Sequence, residues 1–348
     1  MSFSFYKSII RPIIFKIPPE SAHNLSLNYL RFKPSFKFSE PNDDLKILKT
    51  TICGINLATP IGLAAGYDKN FYTTNELYNL GFGFVVGGTI TLEPRLGNGK
   101  PRVIRDLDNK AIINSLGFPG EGVEKISSKI KKLHASTKRK IFVSISGNSV
   151  TDISKCYDKI KSYSDLVEIN ISSPNTKDLI HFHKQNNLLK LIENINQQKE
   201  CPIFIKMPPL YKRGEMDENV LKLIELSYLN EIDGITISNT LPVSNNYLHT
   251  GKGGLSGKPL FNDTINTIKS VTKITNKNYP IIACGGISSA EEVWECIDNG
   301  SKAVQLYTGL IYEGLSLPKL LSKNLIKMMH KAKINSISEI KGSPPKID

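Results

Sequence analysis

Eight short runs of β-branched and other apolar residues recur along the chain, near positions 61–65, 83–88, 141–145, 166–171, 202–206, 233–238, 280–284 and 302–306. Between most of them lie stretches with apolar residues at helical spacing, such as Leu188 to Ile195 and Val220 to Leu229. Strands that stay apolar along their length are buried on both faces, which is the mark of a parallel sheet covered by helices. Ser289-Ala290-Glu291-Glu292, just after the seventh run, reads as a capping box that opens one such helix. Eight strand–helix units in about 280 residues predict a (β/α)8 TIM barrel. A doubly wound open sheet would usually need fewer strands, and no dinucleotide fingerprint follows the first run.

Composition narrows the class. The apolar share of 40% supplies a sizeable core, and 22% charged residues suit a protein that folds in water. Five cysteines, odd in number and without a Cys-x-x-Cys pair, argue against a disulfide framework or a zinc site and favour a reducing compartment. The six histidines lack ligand spacing, so no metal is expected. The net charge of +13 is spread along the chain. Its densest stretch, Lys129 to Lys140, reads as the solvated face of a helix whose buried face carries Val123, Ile126, Ile130 and Leu133. Nucleic-acid binding is therefore not expected, whereas a basic surface favours anionic substrates or anionic lipid.

The first 40 residues follow a different pattern. Phe3, Phe5, Tyr6, Ile9, Ile10, Ile13, Ile14 and Phe15 alternate with Lys7, Arg11 and Lys16, and a second apolar stretch follows Pro18-Pro19 through Leu25, Tyr29 and Leu30. Neither reaches the roughly 20 apolar residues needed to span a bilayer. Two readings stay open: helices lying on a membrane surface, or a helical cap packed on the barrel. The tail after Lys333 is polar and is expected to fray. The division expected is thus 1–40 for the extension, 41–333 for the barrel and 334–348 for the tail.

In a barrel of this kind the active site lies at the C-terminal ends of the strands. Those ends carry Ala64-Ala65-Gly66-Tyr67-Asp68-Lys69, Gly87-Gly88-Thr89, Asn170-Ile171-Ser172-Ser173-Pro174-Asn175-Thr176, Lys206, Ser238-Asn239-Thr240, Gly285-Gly286 and Tyr307-Thr308-Gly309. Together with Gly253-Gly254-Leu255-Ser256-Gly257, the glycine-rich segments can present backbone N–H groups to a phosphate. Lys206 ends a strictly apolar run and should point into the barrel mouth, either as a Schiff-base lysine or as a charge opposite an anion.

These motifs, with Asn114-Ser115-Leu116-Gly117-Phe118, Lys258-Pro259-Leu260 and Val304-Gln305-Leu306, resemble the dihydroorotate dehydrogenases, specifically the membrane-associated, quinone-reducing class 2. The resemblance runs from about His23 to Gly309. Soluble class 1 enzymes carry cysteine where Ser173 stands and lack the helical extension. The resemblance implies oxidation of dihydroorotate to orotate in pyrimidine (UMP) synthesis, with one FMN per chain accepting a hydride and a ubiquinone-type quinone taking the electrons. It makes Ser173 the base, with Phe118 and Thr176 shaping the proton exit, and places Lys69, Asn114, Ser115, Leu116, Gly117, Phe118, Asn170, Asn175, Asn239 and Thr240 around the substrate. Ala65, Gly66, Lys69, Thr89, Ser144, Asn170, Lys206, Ser238, Gly257, Gly286, Tyr307 and Thr308 would contact the FMN. His23 and Arg105 would line a quinone tunnel in the N-terminal helices. A monomer held peripherally on the cytoplasmic side of the inner membrane (the mitochondrial inner membrane in a eukaryote) is implied as well.

The chain departs from the family pattern at several points. Ser144 stands where an FMN-contacting asparagine is usual, and Ser146-Gly147-Asn148 deviates beside it. Pro119-Gly120 replaces Asn-Asn, Ser115 replaces an arginine, and Asp178 and Ile180 replace the Gly and Arg of a substrate lid. The base, the ring-binding amides and both lysines are kept, so activity is expected to survive these changes.

Overall fold

The computed structural model describes residues 5–32, 43–172 and 181–347. Eight parallel strands close into a barrel: β1 (Ile61–Leu63), β2 (Phe84–Ile90), β3 (Ile141–Ile145), β4 (Leu166–Asn170), β5 (Ile203–Lys206), β6 (Gly234–Ile237), β7 (Ile281–Cys284) and β8 (Ala303–Leu306). Each strand pairs with its neighbour in the sequence, and β8 pairs with β1 through Val304 opposite Ile61. All eight lie within a few residues of the runs read from the sequence.

The helices follow the expected pattern. Val123–Ser136 buries Val123, Ile126 and Ile130. Gln185–Asn196 and Glu218–Leu229 bury one stripe each against the barrel. Ala290–Asp298 opens on the capping box: Ser289 Oγ accepts from the Glu292 N–H, and the Glu292 carboxylate accepts from the Ser289 N–H at 3.0 Å. Both orphan donors of that first turn are thereby satisfied.

A hairpin closes the N-terminal end of the barrel. Its arms, Thr50–Ile52 and Ile55–Leu57, turn through Cys53 and Gly54 at φ +48° and +78°, the positive torsions of a type I′ turn. Ile52, Ile55 and Leu57 plug the barrel against Phe84, Val86, Phe142, Leu166, Phe204, Ile282 and Ala303. With one end filled in this way, the opposite end is left to form the site.

Two features differ from the sequence expectation. A four-stranded antiparallel sheet forms from Val103–Asp106, Ala111–Asn114, Leu241–Ser244 and Lys252–Gly257. These strands are short excursions after β2 and β6, and the last is too rich in glycine to read as a strand. The second difference is the tail after Lys333, which is docked instead of frayed. Ile337 and Ile340 are buried, Trp294 Nε1 donates to the Gly342 carbonyl at 2.8 Å, and the Gly342 N–H donates to Asp298 at 2.7 Å. Two isoleucines three apart, together with these two hydrogen bonds, anchor a segment that is otherwise polar.

The N-terminal helices Tyr6–Ile10, Arg11–Ile14 and Pro19–Phe32 are tied to the C-terminal end of the barrel. Tyr6 Oη donates to the Ile311 carbonyl at 2.7 Å, and Arg11 donates to the Tyr312 carbonyl at 3.0 Å. Lys7 pairs with the buried Glu313, which Lys110 also approaches. No helix among the described residues is long and apolar enough to cross a membrane.

Candidate active site

One cavity of about 1000 Å³ opens where the strand ends, the antiparallel sheet and the N-terminal helices meet. It is lined from β1 by Ala65, Gly66 and Lys69, from β2 by Thr89, from β4 by Asn170 and from β5 by Lys206. Ser238, Asn239 and Thr240 line it after β6, Gly286 after β7, and Tyr307 and Thr308 after β8. The antiparallel sheet and its loops add Asn114, Leu116, Gly117, Phe118 and Gly257. The site residues read from the sequence therefore converge, with four exceptions. Ser115 and Ser144 are fully buried and do not line the cavity, and Ser173 and Asn175 lie outside the described residues, as do Thr176, Asp178 and Ile180.

Ser144 supports the wall from behind. Its Oγ lies 3.0 Å from Thr89 Oγ1, which also accepts from Asn170 Nδ2 at 3.3 Å. Asn239 Nδ2 donates to both Asn170 Oδ1 and Ser172 Oγ at 3.0 Å, and Ser172 Oγ donates to the Lys206 carbonyl at 2.9 Å. The amides at the ends of β4 and β6 are thus held by one polar network instead of turning freely, which preorganises them for a ligand with paired donors and acceptors. Ser115 is placed by its own backbone, whose N–H donates to the Arg102 carbonyl at 2.8 Å, while its hydroxyl is buried with no hydrogen-bond partner among the described residues. A serine in place of a longer side chain is accommodated there without lining the cavity.

The two lysines differ electrostatically. Burial pushes Lys69 down to about 8, opposed by the carboxylates of Glu20 and Asp68 and assisted by Arg102. Glu20 is held in turn by Arg102, whose Nη2 lies 2.8 Å from it. Sequence reading missed this pair, because Glu20 opens the helix Pro19–Phe32 and its partner stands 82 residues away. Lys206 lies deeper and is almost wholly buried.

His23 and Arg105 both line the cavity on the side of the N-terminal helices. His23 packs edge-on against Tyr67 at 5.0 Å, and Tyr67 packs edge-on against Tyr307 at 5.7 Å. Burial and the charge of Lys69 lower His23 to about 3, so its imidazole is neutral at ordinary pH. Arg105 donates from Nη1 to the carbonyls of Phe15 and Ile17 at 3.1 and 2.8 Å, and its guanidinium sits 4.6 Å from the centroid of the Phe15 ring. It clamps the extension onto the barrel as well as lining the cavity.

The arrangement fits a phosphorylated flavin. Among the described residues, no backbone carbonyl accepts from the N–H groups of Gly286, Ile287, Thr308 or Gly309. The last two open the helix Thr308–Glu313, where free N–H groups and the helix dipole favour an anion. Ser256 Oγ and Thr308 Oγ1 lie 2.9 Å apart on the same side. Gly257 and Gly286 have positive φ, and a Cβ on Gly286 would sit 2.5 Å from the Phe261 backbone nitrogen, so the loops must stay side-chain-free. The ammonium of Lys206 adds positive charge to the same cavity.

Residues 47–329 match the family model for dihydroorotate dehydrogenase. A dihydroorotate dehydrogenase (quinone) of Coxiella burnetii (strain Dugway 5J108-111) is 36% identical over 346 residues, covering 92% of this chain and 95% of its own. The corresponding protein of Christiangramia forsetii is 34% identical over 345 residues, covering 92% and 99%. Among solved structures, the ligand-free enzyme of Eimeria tenella superposes with a TM-score of 0.85 at 28% identity, over 93% of this chain and 98% of the other.

Proposed function

This chain belongs to the dihydroorotate dehydrogenase family, and we propose that its cavity binds one FMN, with dihydroorotate on one side and a quinone on the side of the N-terminal helices. It oxidises dihydroorotate in pyrimidine biosynthesis, with a quinone as the second substrate. The observation that carries the FMN assignment is the convergence on one cavity of free backbone N–H groups, two lysines and a locked set of amides. When bound, FMN supplies an acceptor for the hydride and a donor of electrons to the quinone.

The protein's own residues divide the work. The N–H groups of Gly286 and Thr308, with the Thr308 hydroxyl and the loop at Gly257, would hold the phosphate. Thr89, Ser238 and Asn170 would bond the ring edge, and Lys206 would place positive charge beside it. Ala65 and Gly66 let the flat ring approach the backbone, and Tyr307 closes the cradle. Asn114, Asn170, Asn175 and Asn239 would hold the pyrimidine through its amide groups, with Leu116, Gly117, Phe118 and Thr240 packed around it. Lys69 would face the substrate carboxylate.

Ser173 would take the proton from C5. A serine hydroxyl is a poor base at neutral pH, so the step needs a dry site and an acceptor for the proton it gains. Ser173→Ala should slow anaerobic flavin bleaching by dihydroorotate by orders of magnitude while leaving FMN bound. An unchanged rate would remove Ser173 from the reaction.

The extension, residues 1–40, would form the quinone tunnel, with His23 and Arg105 as its polar residues. Phe5, Ile9, Ile13, Leu25 and Phe32 expose their side chains on these helices, which supports peripheral attachment to a membrane surface. Placement on the cytoplasmic side of the inner membrane (mitochondrial in a eukaryote) as a monomer completes the proposal, with residues 41–333 as the barrel and 334–348 as the tail.

A further inference from the structure

The barrel interior carries a buried charge that the reaction described above does not use. Side chains alternate along a strand, so residues two apart share a face. Leu166, Phe204, Ile282 and Ala303 belong to the apolar floor. Two positions further on, the same faces carry Glu168, Lys206, Cys284 and Gln305, joined by Ser144 on β3 and Thr236 on β6. The layer above the floor is therefore polar at six of eight strands, where such barrels are dominated by branched apolar residues.

Glu168 is fully buried. Its Oε2 accepts from Thr236 Oγ1 at 2.8 Å and from Gln305 Nε2 at 3.1 Å. Its Oε1 has no hydrogen-bond partner among the described residues and lies 3.9 Å from Lys206 Nζ. One oxygen is thus pinned by two neutral donors from β6 and β8, and the other faces the ammonium on β5. A buried carboxylate is costly unless it is paired, and removing one member of such a pair leaves the other charge uncompensated. Thr236 and Gln305 hold this carboxylate below a lysine that lines the cavity. Sequence reading missed the pair because a single acid inside Leu166-Val167-Glu168-Ile169-Asn170 does not disturb the strand pattern.

We propose that Glu168 is a positioning residue that fixes the ammonium of Lys206 beneath the ring of the bound flavin, so that the pair, and not Lys206 alone, sets the reduction potential. The inference rests on the flavin reading above. The titratable groups facing Lys206 are Glu168 on β4 and Cys284 on β7. Burial works against its charge, and Cys284 first and then Glu168 outweigh it, holding Lys206 above the ordinary lysine range. Without the carboxylate, burial would be opposed by Cys284 alone, whose thiol is itself pushed up by burial.

The test is the midpoint potential of the bound flavin between pH 6 and 10, in the holoenzyme, in Glu168→Gln and in Glu168→Gln/Lys206→Met. The amide can still accept from Thr236 but carries no charge. Glu168→Gln should add a break in the plot of potential against pH, the potential falling on the alkaline side as Lys206 loses its proton. Neither the wild-type protein nor the double variant should show that break. No break in Glu168→Gln, or a break that persists in the double variant, would overturn the assignment. Thermal melting and FMN retention decide the matter even if Glu168→Gln yields no holoenzyme. Lys206→Met alone strands a buried carboxylate, so Glu168→Gln/Lys206→Met should melt higher and hold FMN better than Lys206→Met. If it does neither, the two residues are not a pair. Wild-type protein that takes up no FMN would instead overturn the flavin reading on which the inference stands.

Discussion

Raising the pH above 8 should loosen binding of the substrate carboxylate through one side chain, Lys69. Burial lowers this lysine from its ordinary 10.5 to about 8, despite the opposing charges of Glu20 and Asp68. The protonated form binds the carboxylate, so affinity is full below the folded pKa and is lost as pH rises through it. With the folded value near 8, roughly nine-tenths of Lys69 is charged at pH 7 and roughly one-tenth at pH 9. Affinity for orotate should therefore fall about tenfold between those values, or about 1.4 kcal/mol. An unperturbed lysine would lose almost nothing over the same range. The assay is a titration of the oxidised holoenzyme with orotate, followed by the change in flavin absorbance, at intervals from pH 6 to 10. Lys69→Met should bind weakly and lose this dependence. A dissociation constant that stays flat to pH 9 in the wild-type protein would refute both the burial argument and the facing of Lys69 to the carboxylate.

Two further outcomes follow from packing. Phe204 lies in the barrel floor with no exposed surface, so Phe204→Ala should cost about 3–5 kcal/mol, seen as a lower denaturation midpoint, whereas a loss under 1 kcal/mol would mean that the floor collapses to fill the space. Arg105→Leu removes two charge-assisted bonds to the carbonyls of Phe15 and Ile17, each worth about 1.5–3 kcal/mol. Residues 5–32 should then be cut by protease far sooner than in the wild-type protein while the barrel resists, and equal protection would show that the clamp lies elsewhere.

The eight strands were legible because a strand buried on both faces shows as an uninterrupted apolar run, and its polar end marks where the cavity begins. The capped helix at Ser289 was legible for a similar reason: its signal is local. What escaped were features whose partners lie far apart in sequence. Arg105 reads only as a polar residue of the quinone tunnel, and its clamp shows once the chain returns Phe15 and Ile17 to it, 90 and 88 residues away. Glu168 passes unnoticed inside a strand until Gln305, 137 residues on, arrives beside it. Lys252–Gly257 forms a strand despite its glycines because Ala111–Asn114 and Leu241–Ser244 pair with it on both sides. Ser144 and Ser115 show the converse case. Residues matched to a ligand-contacting position by motif can stand one layer behind the wall, where Ser144 holds Thr89 and Ser115 holds the loop at Arg102.

In the proposed reaction this one cavity passes electrons from dihydroorotate through a flavin to a quinone. Stopped-flow absorbance of the purified, FMN-loaded protein without oxygen tests it most directly, first with dihydroorotate and then with a soluble ubiquinone. Dihydroorotate should bleach the flavin band, and addition of the quinone should restore it. A flavin that stays oxidised with dihydroorotate yet bleaches with dithionite would contradict that reaction.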